Sequence, residues 1–142
     1  MENYIIKTDG GARGNPGPAG IGAVIFTQDD KVLATAKDYI GQATNNEAEY
    51  QAVILGLELA RKKLGKEKCQ HVNIDFKLDS ELVVKQLNGQ YQLKEERLWP
   101  MFMKVWNARV KDFPCLSFAH IRREENKLAD KLVNEALDEA GK

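Results

Sequence analysis

The chain has 142 residues, of which 43% are hydrophobic, and its 21 basic side chains balance its 21 acidic ones. This composition predicts one globular domain over residues 1–142 and excludes a strongly basic protein that binds nucleic acid by overall charge. No apolar run approaches the ~20 residues that span a bilayer, and the N-terminus lacks a signal-peptide pattern, so we expect a cytoplasmic protein without membrane contact.

The first predicted element is a short strand over residues 3–9, which places Asp9 at or near its end. From Asp9 to Gly22 the chain contains six glycines and two prolines, a composition that favours turns over helix or strand. We interpret this stretch as a loop around a metal site centred on Asp9, in which the glycines let a nucleic-acid backbone come close.

A Gly-rich loop after a strand is also typical of dinucleotide-binding proteins, but those need a helix directly after the glycines. Here the next residues predict two strands, at about 20–27 and about 31–40, joined by a turn at Asp29-Asp30. This context argues against dinucleotide binding.

The rest of the chain predicts four helices and two further strands, an order that implies a mixed sheet with an antiparallel meander followed by parallel strands. Pro100 lies in the helix predicted over about 96–111, and proline is compatible with a helix only in its first turn. The later elements are a helix from the cap residues Thr44, Asn45 and Asn46 to about Lys63, an alternating strand over 72–79, helices over 80–87 and about 96–111, a strand over 116–121 and a helix over 126–140. Trp99, Phe102, Val105 and Trp106 are the predicted buried stripe of the helix over 96–111.

Two glutamates compete for a site position at the start of the first helix. Helical steps from Glu49 reach small apolar residues such as Ala52, Val53 and Gly56, whereas steps from Glu47 reach charged ones. An acid on a packing face is costly unless it is paired or bound to a metal. We therefore choose Glu49 as the candidate and expect Glu47 to be exposed.

Asp79 and Asp130 are further candidates, each with a plain structural alternative. Asp79 ends a strand and is also placed to cap the helix that begins beside it. Asp130 belongs to a polar line with Asn126 and Asn134 that is typical of a solvated helix face. Considered singly, these residues leave both alternatives open.

Four motifs together resemble the type 1 ribonuclease H family from Thr8 to about Leu137. They are T-D-G-G-A-R-G-N-P-G-P-A-G, T-N-N-E-A-E, L-D-S-E-L-V-V-K-Q-L-N-G and N-K-L-A-D, in the order of the family. The resemblance implies an α/β ribonuclease H-like fold with a five-stranded mixed sheet, and hydrolysis of the RNA strand of RNA–DNA hybrids. It also implies that Asp9, Glu49, Asp79 and Asp130 bind two Mg²⁺ ions, with Mn²⁺ as a substitute, and that the products carry 5′-phosphate and 3′-hydroxyl ends.

The resemblance further implies which residues contact the hybrid. Recognition of RNA requires contacts to the 2′-hydroxyl across a wide minor groove. The matching positions are Gly10 and Gly11 through their backbone, together with Asn15, Asn45 and Asn46. Asn45 and Asn46 are also candidates for capping their helix.

The chain departs from the family pattern in two places, and both departures predict weak hybrid binding. Many bacterial members carry a basic helical protrusion where this chain has only residues 90–95, as in the shorter archaeal-like branch. Glu81 stands where a glutamine often contacts substrate.

The family's loop histidine corresponds by spacing to His120, but the short segment after it leaves open that Arg122, Arg123 or Glu124 faces the site instead.

Two functions remain as hypotheses: a hybrid-specific nuclease, and an idle domain of the same fold that binds nucleic acid or protein without cutting. The presence of all four acids favours the enzyme. We expect a monomer without an obligate protein partner. We also expect Cys69 and Cys115 to be free thiols, because their spacing lacks a metal motif and the expected compartment is reducing.

Overall fold

Five strands form one mixed sheet in the order β3-β2-β1-β4-β5 in the computed structural model, which describes residues 1–142. The strands are β1 (Asn3–Ala12), β2 (Gly17–Phe26), β3 (Val32–Ala43), β4 (Asn73–Leu78) and β5 (Leu116–His120). The helices are α1 (Asn45–Leu64), α2 (Lys66–Cys69), α3 (Glu81–Leu87), α4 (Trp99–Lys111) and α5 (Lys127–Glu139), with 3₁₀ turns at Glu96–Leu98 and Arg123–Glu125. The predicted element order is confirmed, and α2 and the 3₁₀ turns add to it.

The pairing of the strands explains why two of the candidate acids meet. Strand β1 is antiparallel to β2 and parallel to β4, with Thr8 paired to Leu78 in the last register position of that ladder. Asp9 and Asp79 follow these two residues directly, so both lie at the same edge of the sheet. Asp9 itself lies within β1, because the strand continues to Ala12 rather than ending at residue 9.

Helices α1 and α5 pack on opposite faces of the sheet, because the consecutive strand residues Gly10 and Gly11 face α1 and α5 respectively. Strand β4 alternates between buried and half-buried residues, and its buried Ile74, Phe76 and Leu78 join Tyr50 and Leu57 of α1 in the main hydrophobic core. This alternation confirms the period-2 pattern of the sequence. The polar end of α1 is thereby held at the sheet edge where Asp9 and Asp79 lie.

The glycine-rich stretch is mostly strand, which corrects the predicted loop. Only residues 13–16 form a turn between β1 and β2. A Cβ atom on Gly10 would lie 2.3 Å from the backbone of Ala48 in α1, and one on Gly22 would lie 2.7 Å from the Cβ atom of Leu132 in α5. These glycines therefore allow two helices to pack closely on the sheet, and the sequence pattern does not distinguish this use from approach by a ligand.

Half of the buried stripe predicted for α4 is confirmed, because Phe102 is half-buried against the main core and Val105 is fully buried. Val105 is buried, but Trp99 and Trp106 are 48% and 49% exposed. The buried positions of α4 instead lie along Val105 and Ala108. Pro100 falls in the first turn as expected, because its missing N–H has no partner to lose there.

Two other predictions from the sequence can be compared with the structure. Cys69 and Cys115 are both free, as predicted, although they precede the parallel neighbours β4 and β5. None of the helices combines the length and the apolar character that crossing a bilayer requires.

Candidate active site

A cleft of about 460 Å³ lies where the carboxyl ends of β1 and β4 meet the start of α1 and one face of α5. All four candidate acids contribute to its wall, as do four of the six proposed substrate-contact residues. The polar lining consists of Asp9, Gly10, Gly11, Arg13, Asn45, Asn46, Glu49, Asp79, Ser80, Arg123, Asp130 and Asn134.

Three of the acids form a compact group that is suited to a metal ion. Asp9, Glu49 and Asp79 each offer a carboxylate oxygen, and these oxygens lie within 4.8 Å of one another. Asp9 and Glu49 are only 8% and 7% exposed. Asp130 lies outside this group on α5 and is exposed, although its charge acts on Asp9. We call Asp9, Glu49 and Asp79 the triad, and Asp130 is its exposed neighbour.

Local capping interactions leave Asp79 and Glu49 free for the cleft. The N-cap of α3 is Ser80, whose hydroxyl accepts a hydrogen bond from the N–H of Val83 at 3.3 Å. The alternative in which Asp79 caps that helix is therefore excluded. Thr44 caps α1 in the same way, so Asn45 is the first helical residue rather than a cap.

Helix α1 separates the roles of its two glutamates. Glu47 closes a capping box with Thr44 and lies 3.9 Å from Arg97. It is half-buried rather than exposed, because the cap folds its side chain back onto the helix start. Glu49, two residues on, points to the other acids as the helical-face argument predicts.

The electrostatics of the triad favour a bound cation. Burial, followed by the negative charge of Asp79, raises the pKa of Asp9 from 3.8 to about 7. Burial and the charge of Asp9 likewise hold the pKa of Glu49 well above its ordinary value of 4.5. The Oε2 atom of Glu49 is buried without a hydrogen-bond partner, and its Oε1 atom accepts only a long bond of 3.4 Å from the Gly10 N–H. Hard cations such as Mg²⁺ prefer such oxygen ligands, so the residues present fit a divalent ion.

Three of the proposed substrate-contact residues beside the triad make hydrogen bonds within the protein. The Asn15 side chain accepts a hydrogen bond from the Asn45 N–H at 3.0 Å, and the Asn45 side chain accepts one from Ala12 at 2.9 Å. These bonds fix the turn at residues 13–16 against α1. The Gly10 N–H donates to Glu49, and Gly10 lines the cleft together with Gly11, Asn45 and Asn46.

Glu81 lies outside the cleft. Its exposed carboxylate pairs with Lys85 at 3.2 Å and lies 3.9 Å from the Nδ1 atom of His120. Arg123, which follows β5, lines the cleft, whereas His120, the last residue of β5, does not. The 3₁₀ turn that contains Arg123 explains this, since it takes the chain directly from β5 to α5.

The structure adds a residue that the sequence analysis did not select as a candidate. Asn126 is 1% exposed, and its side-chain amide donates to the carbonyl oxygen of Thr8 at 2.9 Å and to Oδ2 of Asp79 at 3.4 Å. The available signal was the polar line that Asn126 shares with Asp130. That line suggested a solvated face, but at Asn126 it is buried.

Comparison with protein families identifies a match over most of the chain. The model of a family described as reverse transcriptase-like matches residues 7–136. These residues include all the strands except the start of β1, and all four candidate acids.

Two relatives are similar over nearly the whole chain. It is 42% identical over 137 residues to the bifunctional protein Rv2228c of Mycobacterium tuberculosis, a match that covers 96% of this chain and 36% of the relative. It is 40% identical over 132 residues to ribonuclease HI of Halobacterium salinarum, covering 93% and 63% respectively. The chain therefore spans about a third of the length of the first relative.

The fold is also close to that of a solved structure. The crystal structure of LC11-RNase H1, a protein isolated from compost, superposes with a TM-score of 0.94 at 45% identity and covers 98% of this chain and 99% of that one. That structure is a complex with an RNA/DNA hybrid.

Proposed function

The chain belongs to the type 1 ribonuclease H family, and on that basis we propose that it hydrolyses the RNA strand of RNA–DNA hybrids. The observation that carries the proposal is the convergence of four acids from distant parts of the sequence on one cleft. Three of them lie close enough to share an ion, and one buried carboxylate oxygen of Glu49 has no partner within the protein. Burial of a carboxylate in that state is costly unless a cation compensates for its lost hydration.

We propose that Asp9, Glu49, Asp79 and Asp130 hold two Mg²⁺ ions, with Mn²⁺ as a substitute. All three other acids affect the pKa of Asp9, which supports its assignment as the ligand that both ions would share. Glu49 and Asp79 would complete one ion site and Asp130 the other. Ions bound there would supply an activated water and stabilise the leaving 3′ oxygen, which accounts for 5′-phosphate and 3′-hydroxyl products.

The protein's own contribution is to position the acids before substrate arrives. Asp9 and Glu49 are on a central strand and a helix packed directly against it, so their separation is set by the core. Positions fixed in this way are more precise than positions on loops. Gly10, Gly11, Asn45 and Asn46 border the acids and, together with Asn15, are proposed to contact the RNA 2′-hydroxyl groups.

Hybrid binding should be weak, because no additional helix follows α3 before the 3₁₀ turn at Glu96. Phosphate contacts provide most of the affinity of such proteins, and they make it strongly dependent on salt. Fusion of a separate basic hybrid-binding module should therefore lower KM much more than it changes kcat. A low-nanomolar affinity in physiological salt without that module would contradict this. The cytoplasmic location, the monomeric state and the single-domain organisation remain predictions from the sequence.

The function is tested by a cleavage assay with magnesium on four labelled substrates: an RNA–DNA hybrid, double-stranded RNA, double-stranded DNA and single strands. We expect cutting of the RNA strand of the hybrid alone, and none in chelator. End analysis of the products checks the proposed 5′-phosphate and 3′-hydroxyl. Binding of the hybrid without cutting, under all metal conditions, would instead identify an idle binding domain.

A further inference from the structure

Asn126 joins three parts of the candidate site through one buried residue. Its side-chain amide bonds to the backbone of β1 at Thr8 and to the carboxylate of Asp79 after β4. Its backbone carbonyl accepts a hydrogen bond from the N–H of Asp130 at 3.1 Å. The residue therefore contacts the strand that carries Asp9 and two of the four acids.

Chemistry fixes the orientation of this amide. The carbonyl of Thr8 and the carboxylate of Asp79 are both acceptors, so the NH₂ group of Asn126 must face them. Its Oδ1 atom is then turned into the protein, where it is buried without a partner. A buried oxygen without a hydrogen-bond partner destabilises the fold, a cost that a residue selected only for stability would avoid.

Helix capping does not account for the residue. Asn126 is at the N-cap of α5, but its side chain makes no capping hydrogen bond. Both of its amide protons are directed to β1 and Asp79 instead. The side chain is thus withdrawn from the function that asparagine ordinarily has at the start of a helix.

We propose that Asn126 is a positioning residue of the metal site, which holds the Asp79 carboxylate in place and fixes the first turn of α5, with Asp130, against β1. This inference rests on the proposed function, since it assigns Asn126 a role toward the ions that the acids would hold. Residues that orient metal ligands typically contribute about 10- to 100-fold to metal affinity or activity. Asn126 touches no reacting atom and acts through the two acids.

The test uses two substitutions that remove the amide: Asn126→Ala, and Asn126→Leu, which keeps a similar volume. The first readout is the magnesium concentration at the midpoint of the metal-induced rise in Tm. We expect this midpoint to increase about 10- to 100-fold in both variants. The second readout is hybrid cleavage, in which kcat should fall by a similar factor while KM changes by less than about twofold.

Asn88→Ala is the matched control, because the Asn88 side chain also donates to a backbone carbonyl, that of Phe118 at 3.1 Å, but lies away from the cleft. This variant should lose some stability and keep the magnesium midpoint and kcat of the parent. The inference is overturned if the Asn126 variants behave like the control. It is also overturned if neither of them folds, since Asn126 would then belong to the structure alone.

The two proposals fail in different ways. A parent protein that gains Tm with magnesium but leaves the hybrid intact would refute the nuclease function and still allow the midpoint test. A parent that cleaves, with Asn126 variants unchanged in both readouts, would refute only the role of Asn126.

Discussion

At the start of α1, Glu49 is buried beside Asp9 and Asp79, whereas near its end Arg61 reaches the buried carboxylate of Asp112 with an Nε–Oδ2 distance of 2.9 Å. Asp112 is 5% exposed, much like Glu49 at 7%. The same helix therefore buries one acid with a cation from the protein and another without one.

The difference separates a buried charge that serves the fold from one that we propose serves a ligand. Arg61 neutralises Asp112 and also lies 5.3 Å from the ring centre of Phe113, so the pair links α1 to the end of α4. In the cleft, the pKa values of Asp9 and Glu49 are raised mainly by burial, and no basic side chain forms an ion pair with either carboxylate to compensate for the lost hydration. The first arrangement should weaken when an acid or its partner is removed, and the second should not.

The largest effect is expected from Asp9→Asn. Loss of the ligand proposed to serve both ions should reduce hybrid cleavage by several orders of magnitude. In chelator near neutral pH, the variant should melt at the same temperature as the parent or higher, because one of the mutually repelling acids is gone. Magnesium should raise the Tm of the parent much more than that of the variant, since only ligand bound to the native state stabilises it.

Four thermal melts, of parent and variant in chelator and in magnesium, make this measurement together with the cleavage assay. A variant that is clearly less stable in chelator and still cleaves the hybrid would show that Asp9 is structural.

Arg61→Ala should have the opposite pattern. It leaves the Asp112 carboxylate buried without its partner, and we expect a loss of about 2 kcal/mol, below the usual range for buried pairs because Arg61 is 29% exposed. Chemical denaturation measures this loss, and cleavage by the folded fraction should equal that of the parent. Asp112→Asn should be milder, since the remaining Arg61 can reach water. Equal stability of parent and Arg61→Ala would contradict the structural role of the pair.

The comparison also predicts a dependence on pH. The pKa of Asp9 is raised to about 7, so native Asp9 keeps its proton between roughly pH 4 and 7, where the unfolded chain has lost it. Stability from this group is therefore fully present below about pH 4 and is lost as pH rises towards 7. The free energy of unfolding of Asp9→Asn minus that of the parent, in chelator, should grow by as much as a few kcal/mol over this window. A difference that does not change with pH would show that native Asp9 is ionised across the whole window. Addition of magnesium should make the difference smaller.

Much of this site could be predicted from the sequence because its residues carry their signal locally. The choice of Glu49 over Glu47 needed only the helical period, and the period-2 strand placed Asp79 at its end. The role of Asn126 could not be found that way. Its burial depends on Thr8 and Asp79, which are far away in the chain and meet it only in the folded sheet.

Periodicity also failed where a helix has two apolar stripes. In α4, Trp99 and Trp106 are as hydrophobic as Val105 and Ala108, and the sequence does not say which residues face the core. The glycines between β1 and β2 posed a similar problem, since close packing by a helix and approach by a ligand both require a missing side chain.

The smallest effect is expected from Glu47→Ala, whose result can be compared with that of a substitution at Glu49 on the same helix turn. Glu47 accepts a hydrogen bond from the Thr44 N–H at 2.9 Å, and the Thr44 hydroxyl accepts one from the Glu47 N–H at 3.1 Å. The substitution removes half of this capping box and should cost about 0.5–1 kcal/mol. Cleavage and the magnesium midpoint should be unchanged, whereas Glu49→Gln should abolish cleavage without loss of stability in chelator. Glu47→Gln is the control, since glutamine can also close the box, and it should retain the stability of the parent. If Glu47→Ala lost cleavage and Glu49→Gln kept it, the assignment of the metal ligand on α1 would have to be reversed.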